Sequence, residues 1–377
     1  MELRDDYRDL DEKYVMQIFT RGLRIIRGEG AKVWDDKGNE YIDCFAGIAV
    51  CSTGHCHPEV ATAICEQARQ LIHISNLFYV PGQAEFAEQL VKTTGLKGAR
   101  AFFSNSGTEA NEAAIKLARV RTGRKKFVAF VNGFHGRTCG ALSMTYKEAY
   151  RLPFSPLPYE CEFIEYGDLD ALAEVVDSSI AAVITEPIQG EAGVLPAPKG
   201  FLKGVRDICT ENESLLILDE VQTGIGRTGT WFGYQHEGIE PDIVTIAKGI
   251  GSGFPMGAIV AREGLTFLPG EHGGTFNGGP LACAAGRATL SVVAGVLPDV
   301  ARKGRLFAEG LSAHNPRQIG LMVGISLGDR CAEVQKKCLE AGVLTNCASG
   351  SLRLVPPLVI TDEEIEAAVG VINAALD

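Results

Sequence analysis

Short apolar runs recur through the middle of this chain, each ending in polar or glycine-rich residues. They are Ala101-Phe102-Phe103, Phe127-Val128-Ala129-Phe130, Ala181-Ala182-Val183-Ile184, Leu215-Leu216-Ile217-Leu218, Ile243-Val244-Thr245-Ile246-Ala247 and Gly257-Ala258-Ile259-Val260. Runs of this length are strand-sized, and the lack of polar alternation means burial on both faces. Helical periodicity lies between several of them, as over residues 108–120. The alternation predicts an α/β fold with a mostly parallel sheet covered by helices.

Both ends of the chain read differently. Residues 58–71 and 83–92 are helix-like, and a long helix-prone segment leads away from about Gly286. Strand-like pieces at 31–34, 322–327 and 352–354 flank a helix near 332–341. A closing helix over 362–376 has Thr361 as N-cap and Glu364 at capping-box spacing. The expected division is a large domain over 46–285 and a small α+β domain assembled from 1–45 and 286–377.

With 377 residues, 46% hydrophobic and 22% charged, the chain has the composition of a soluble globular protein. A net charge of −11 argues against a general nucleic-acid or anionic-membrane surface. The eleven cysteines are scattered and odd in number, so reduced thiols are expected. The N-terminus is polar, and no apolar run long enough to cross a bilayer stands out. The expected location is the cytoplasm.

Two of the apolar runs end in charge. Leu218 leads into Asp219, and Ala247 leads into Lys248, 29 residues further on and followed by the glycine-rich 249–253. Charges at the ends of buried strands require partners. A ring cofactor would satisfy both: the lysine amine condenses with an aldehyde, and the carboxylate keeps a ring nitrogen protonated. Pyridoxal 5′-phosphate (PLP) has that chemistry. Ser106-Gly107-Thr108-Glu109 follows a strand and opens a helix, which suits either a phosphate cradle or a plain cap. Phe134 would stack on a ring, and Arg137 would grip a carboxylate, although a core Phe and a surface Arg read the same way. Glu186-Pro187-Ile188-Gln189-Gly190-Glu191 sits at another strand end, where open α/β sheets bind ligands.

These segments, in this order, resemble the class III (ω-amino-acid) aminotransferases, PLP enzymes of fold type I. The resemblance runs from Val33-Trp34-Asp35 to Pro356-Pro357-Leu358 and includes Gly54-His55-Cys56-His57-Pro58 and Ala247-Lys248-Gly249. Within the family it is strongest to the acetylornithine branch. The resemblance implies that Lys248 bonds the cofactor and moves the substrate proton, and that Asp219 pairs with the ring nitrogen. It implies Phe134 and Val221 on the two ring faces, Gln222 at the ring hydroxyl, and Ser106, Gly107, Thr108 and Glu186 among the cofactor contacts. Thr275 would reach the phosphate in a neighbouring subunit, making the enzyme a homodimer. Arg137 would hold the distal carboxylate of N2-acetylornithine. Arg353 would hold the α-carboxylate of glutamate or 2-oxoglutarate, with Glu191 pairing to it when an ω-amine is bound. The implied reaction yields N-acetylglutamate 5-semialdehyde and glutamate, a step of arginine biosynthesis. Other ω-amines remain open: succinyl-diaminopimelate, a carrier-bound lysine precursor, ornithine and 4-aminobutyrate.

The match has departures. His272-Gly273-Gly274-Thr275-Phe276-Asn277-Gly278-Gly279-Pro280 carries Gly274 where the family's substrate-contacting serine stands, and Asn277 and Gly279 exchange the usual order. Ile48 replaces the tyrosine of ornithine-specific relatives, which favours an acylated amine. Gly224-Ile225-Gly226-Arg227-Thr228-Gly229 matches a dinucleotide fingerprint and suggests an NAD-dependent oxidoreductase, but the residues after it lack helical patterning. His55-Cys56-His57, with Cys44 and Cys51 nearby, fits no standard zinc spacing, and no metal is expected.

Overall fold

The computed structural model describes residues 5–377; the first four residues of the expected 1–45 segment lie outside the described residues. Its centre is a seven-stranded sheet. In chain order the strands are β1 (Arg100–Ser104), β2 (Lys126–Phe130), β3 (Glu160–Ile164), β4 (Ile180–Thr185), β5 (Leu215–Asp219), β6 (Ile243–Ile246) and β7 (Gly257–Ala261). They lie side by side as β1-β7-β6-β5-β4-β2-β3. All neighbours pair in parallel except β7, which is antiparallel to both β6 and β1. Every residue of β4, β5 and β6 is buried. Continuous apolar runs are what two covered faces demand.

Strand β3 was absent from the expected set. It lies at the sheet edge, and its exposed Glu160 and Glu162 alternate with more buried residues. With one face in water, it had no continuous apolar run to reveal it.

Helix α1 (Gly107–Thr122) follows β1 and buries Ala110, Ala113, Ala114, Ile115, Leu117 and Ala118 against the sheet. Helix α2 (Pro280–Gly310) starts earlier than expected, with Pro280 in its first turn. It crosses the helix Pro58–Gln70, and a Cβ on Gly286 would run into the Phe86 ring. Contrary to the sequence reading, α2 is long and apolar enough to span a bilayer. Half of its most apolar stretch is buried inside the protein.

The chain ends meet. Val343–Leu344 pairs in parallel with Glu40–Asp43 and completes a four-stranded sheet with Ile25–Glu29 and Lys32–Asp35. A second four-stranded sheet joins Arg317–Ile319, Met322–Ser326, Ser351–Leu354 and Asn346–Ala348, all antiparallel. The last helix, α3 (Asp362–Leu376), has the expected capping box. Thr361 Oγ1 accepts the Glu364 N–H at 3.2 Å, and Glu364 accepts the Thr361 N–H at 2.9 Å.

One expectation about cysteines is corrected. Cys331 and Cys347 form a disulfide with a Cα–Cα distance of 5.9 Å, while the other nine cysteines are free. Cys331 opens the helix Cys331–Glu340, which lies against the strand Asn346–Ala348. That juxtaposition belongs to tertiary structure, not to spacing.

Candidate active site

Parallel strands deliver their C-terminal ends to one edge of the sheet. Here β4 leads into Glu186, β5 ends in Asp219, β6 leads through Ala247 to Lys248, and β1 leads through Asn105 to the start of α1. A cavity of about 490 Å³ opens there. Lys248, Asp219, Ser106, Gly107, Thr108, Phe134, Glu186, Val221, Gln222, Arg137 and Glu191 all line it.

Lys248 sits in the left-handed region at φ +46°, just past the strand. Burial lowers the pKa of its amine, and Arg353 adds to that; Glu191 and Asp219 pull the other way. The net shift favours the neutral, nucleophilic form.

Asp219 is 3% exposed and has three hydrogen-bond partners. Its Oδ2 faces Asn111 Nδ2 and His135 Nδ1, each at 2.7 Å, and its Oδ1 accepts the Val221 N–H at 3.0 Å. Asn111 also donates to the His135 carbonyl at 2.6 Å, and the His135 N–H is held by Thr145 Oγ1 at 2.9 Å. Asn111 and His135 were not singled out from sequence. The available signal was a polar residue on the otherwise apolar, sheet-facing side of α1.

At the N-terminus of α1, Ser106 Oγ accepts the Glu109 N–H at 3.3 Å. The reciprocal half of the capping box is displaced by one residue: Glu109 takes the N–H of Asn105 at 2.7 Å and its side-chain amide at 2.9 Å. Among the described residues no protein acceptor meets the N–H groups of Gly107 or Thr108. They open onto the cavity at the positive end of the helix dipole. A Cβ on Gly107 would lie 2.8 Å from Val221 Cγ1, so only glycine lets this turn approach Val221 so closely.

Glu186 fastens two loops. Its Oε1 accepts the Phe134 N–H and its Oε2 the Gly190 N–H, each at 3.1 Å. Burial pushes its carboxyl up to about 7. The neighbouring Glu220 is also raised by burial to about 7, while accepting the N–H groups of Gly233 and Tyr234 at 2.9 Å each.

Arg137 lines the cavity, whereas Arg353 lies behind its wall, bonded to the lining residues Glu191 and Gln222. Arg137 is exposed, with its guanidinium 3.4 Å over the Tyr150 ring. Arg353 is 1% exposed. Its Nη1 donates to Glu191 Oε1 at 2.6 Å, to the Gly190 carbonyl at 3.0 Å and to Gln222 Oε1 at 3.3 Å, and its Nη2 donates to Asn346 at 2.6 Å. Arg353 Nε is buried with no partner. Burial would raise the Glu191 carboxyl, but the charge and hydrogen bond of Arg353 outweigh it and leave it lowered.

The chain does not bring Gly274 and Thr275 into this cavity; both are exposed. A Cβ at Gly274 would run into the side chain of Asn277, which is bound to Asn105 Nδ2 at 2.8 Å. The two departures from the family's loop pattern are therefore coupled: Asn277 occupies the space a serine at 274 would need.

The glycine fingerprint is a turn with no α-helix after it, and its Arg227 is buried, bonded to the carbonyls of Leu321 and Pro356. His55 pairs with Asp43 at 2.7 Å, which raises its pKa to about 10.

The aminotransferase class-III family pattern matches residues 17–376. The chain is a class III aminotransferase. Acetylornithine aminotransferase of Methanosarcina mazei is 51% identical over 98% of this chain and 96% of the relative. That of Aquifex aeolicus is 43% identical over 96% and 100%. Among solved structures, ornithine aminotransferase of Toxoplasma gondii superposes with a TM-score of 0.94 at 33% identity, covering 100% of this chain and 96% of the other. Acetylornithine aminotransferase of Elizabethkingia anophelis does so at 0.88 and 33%, covering 98% of each. The fold is thus PLP transferase fold type I, and the cofactor of this aminotransferase is PLP.

The residues present fit that cofactor. Free N–H groups at a helix N-terminus suit a phosphate, a buried carboxylate with a spare lone pair suits a ring nitrogen, and a buried lysine with a lowered pKa suits an aldehyde.

Proposed function

We propose that this class III aminotransferase moves the ω-amino group of N2-acetyl-L-ornithine to 2-oxoglutarate, giving N-acetyl-L-glutamate 5-semialdehyde and L-glutamate. Arginine biosynthesis is the corresponding pathway. The observation that carries the reading is full-length identity of 43–51% to enzymes bearing the acetylornithine name, combined with two arginines available for the two carboxylates: Arg137 on the cavity wall, and Arg353 behind it, bonded to the cavity-lining Glu191 and Gln222.

When bound, PLP supplies an electron sink that makes the carbon bearing the amine acidic. Lys248 would receive that proton and return it, a role that requires the neutral amine its buried position favours. Asp219 would keep the ring nitrogen protonated, with Asn111 and His135 holding the carboxylate in place. Gly107, Thr108 and Ser106 would seat the phosphate. Phe134 and Val221 would bracket the ring, Glu186 would hold Phe134 at that station, and Gln222 would face the ring hydroxyl.

Arg137 would take the distal carboxylate of the acylated donor. Glu191 would occupy Arg353 while an ω-amine is bound and withdraw when 2-oxoglutarate needs the guanidinium. Ile48 lies in the turn just before the cavity-lining Val50, and a neutral acyl cap would be accepted where free ornithine would bring a second ammonium.

The reading includes a cytoplasmic homodimer. Thr275 would complete the phosphate site of the second copy. Its exposure supports this, as does the apolar surface beside it: Leu77, Phe78, Tyr79 and Phe276 are all exposed. His73 contacts Phe276 at a ring separation of 5.2 Å, and Asn76 donates to the Asn277 carbonyl at 2.8 Å, so the two loops form one face.

The test is a half-reaction panel. Holoenzyme is mixed with N2-acetylornithine, ornithine, succinyl-diaminopimelate and 4-aminobutyrate, and the loss of cofactor absorbance is timed. N2-acetylornithine should react with the highest second-order rate constant. A faster reaction with any other amine reassigns the donor.

A further inference from the structure

Four consecutive residues, Ala46, Gly47, Ile48 and Ala49, have φ between +49° and +64°. A left-handed turn strains every residue that carries a Cβ, and a β-branched one such as Ile48 most of all. Such strain persists only where surrounding contacts over-determine the backbone.

Asp43 supplies those contacts at the entrance. Its Oδ1 accepts the N–H groups of Phe45 at 2.9 Å and Ala46 at 2.8 Å. Its Oδ2 is 2.7 Å from His55 Nε2, and Asp43 is 3% exposed. His55 is itself anchored. Its N–H donates to the Gly30 carbonyl at 2.8 Å, and its carbonyl accepts the Gly30 N–H at 3.2 Å. Gly28 makes room for the ring, since a Cβ there would lie 2.6 Å from His55 Cβ.

Both flanks of the segment are tied to the stretch that follows Arg353. The Cys44 carbonyl accepts the Val355 N–H, and the Ser52 carbonyl accepts the Leu358 N–H, each at 2.8 Å. Ala49 is buried in one apolar cluster with Ile188 and Val355. Ile188 leads into Gly190 and Glu191, and Val355 lies two residues after Arg353, so the turn packs against both of the segments that carry the Glu191–Arg353 pair. Val50, the residue after it, lines the cavity.

We infer that Asp43 and His55 are positioning residues for the substrate: together they hold the left-handed turn against the Glu191–Arg353 end of the cavity, and so fix the wall that Val50 presents to the bound amine. This assigns a role to the histidine of the Gly54-His55-Cys56-His57-Pro58 segment, which touches none of the proposed cofactor contacts. The inference rests on the proposed substrate role of Glu191 and Arg353.

The test compares Asp43→Ala, Asp43→Asn and His55→Gln as holoenzymes, each with whichever ω-amine the wild type consumes. Asp43→Ala removes the oxygen that accepts both N–H groups at the turn entrance, together with the partner of His55, and should raise KM for the amine about tenfold, with kcat and cofactor affinity within about twofold. Asp43→Asn keeps an oxygen for the two N–H groups and should restore KM to within about threefold of wild type. His55→Gln, which leaves Asp43 in place but unsupported, should raise KM about fivefold. If Asp43→Ala does not fold, His55→Gln decides the matter by the same KM reading. An unchanged KM in the folded variants overturns the inference, as does a loss shared equally by KM, kcat and cofactor affinity. Failure of the wild type to consume N2-acetylornithine overturns the substrate assignment alone.

Discussion

Asn111→Ala probes the carboxylate on which the site depends. Asp219 is buried and receives one of its hydrogen bonds from Asn111 Nδ2 at 2.7 Å. A hydrogen bond to a buried charged group contributes about 1.5–3 kcal/mol, which corresponds to a factor of roughly 10–150. The substitution also removes the 2.6 Å bond to the His135 carbonyl, so the second partner of Asp219 loses a tether. Alanine is a better helix former than asparagine, so the helix itself gains a few tenths of a kcal/mol. The loss should therefore surface at the cofactor and in the chemistry more than in global stability. The assay is cofactor titration of the apoenzyme, followed by single-turnover measurement of the amine half-reaction. The product of the two effects should fall within that range, with a modest change in Tm. A dissociation constant and a half-reaction rate both within about threefold of wild type would refute the reasoning.

Lys248→Ala should bind the cofactor without being fixed to it by borohydride, and should lose about 10²–10⁴ in the half-reaction from the missing proton transfer alone; trapping of label in the variant would contradict this. Gly274→Ser should destabilise by about 1–3 kcal/mol in chemical denaturation, because the added side chain displaces Asn277 from Asn105, and adding Asn277→Gly should recover most of the loss; a neutral Gly274→Ser would mean that the loop yields freely. Glu220 titrates near 7 in the folded chain, above its ordinary value, so its protonated form favours the fold. Its contribution is complete at pH values below the unfolded pKa and disappears as pH rises through 7, by about 3 kcal/mol in all. In urea unfolding of the apoenzyme, the stability of wild type relative to Glu220→Gln should fall across pH 5–8; a constant difference would exclude that shift.

The central layers of the fold were legible because both faces of β4, β5 and β6 are covered, and continuous apolar runs are the direct mark of that burial. The sheet-edge strand β3 was not, since one-sided burial leaves a mixed pattern. Several site residues announced themselves for the same reason as the core strands: Asp219 and Lys248 are charges where an apolar run ends. Asn111 and His135 gave no such sign, because a lone polar residue in a helix or turn reads as surface until the partner is known. The Gly274 and Asn277 departures were visible one by one, while their coupling through shared space was not.

Sequence alone determined the doubly covered strands, the caps at Ser106 and Thr361 and the identity of the charges at the strand ends, because those properties depend on neighbours a few residues away. Tertiary structure decided what those charges touch. It joined Asp219 to residues 108 and 84 positions away, Arg353 to a glutamate 162 positions away, and Cys331 to Cys347. Contacts over such separations follow from how sheet, turn and chain ends are brought together, and no local pattern encodes them.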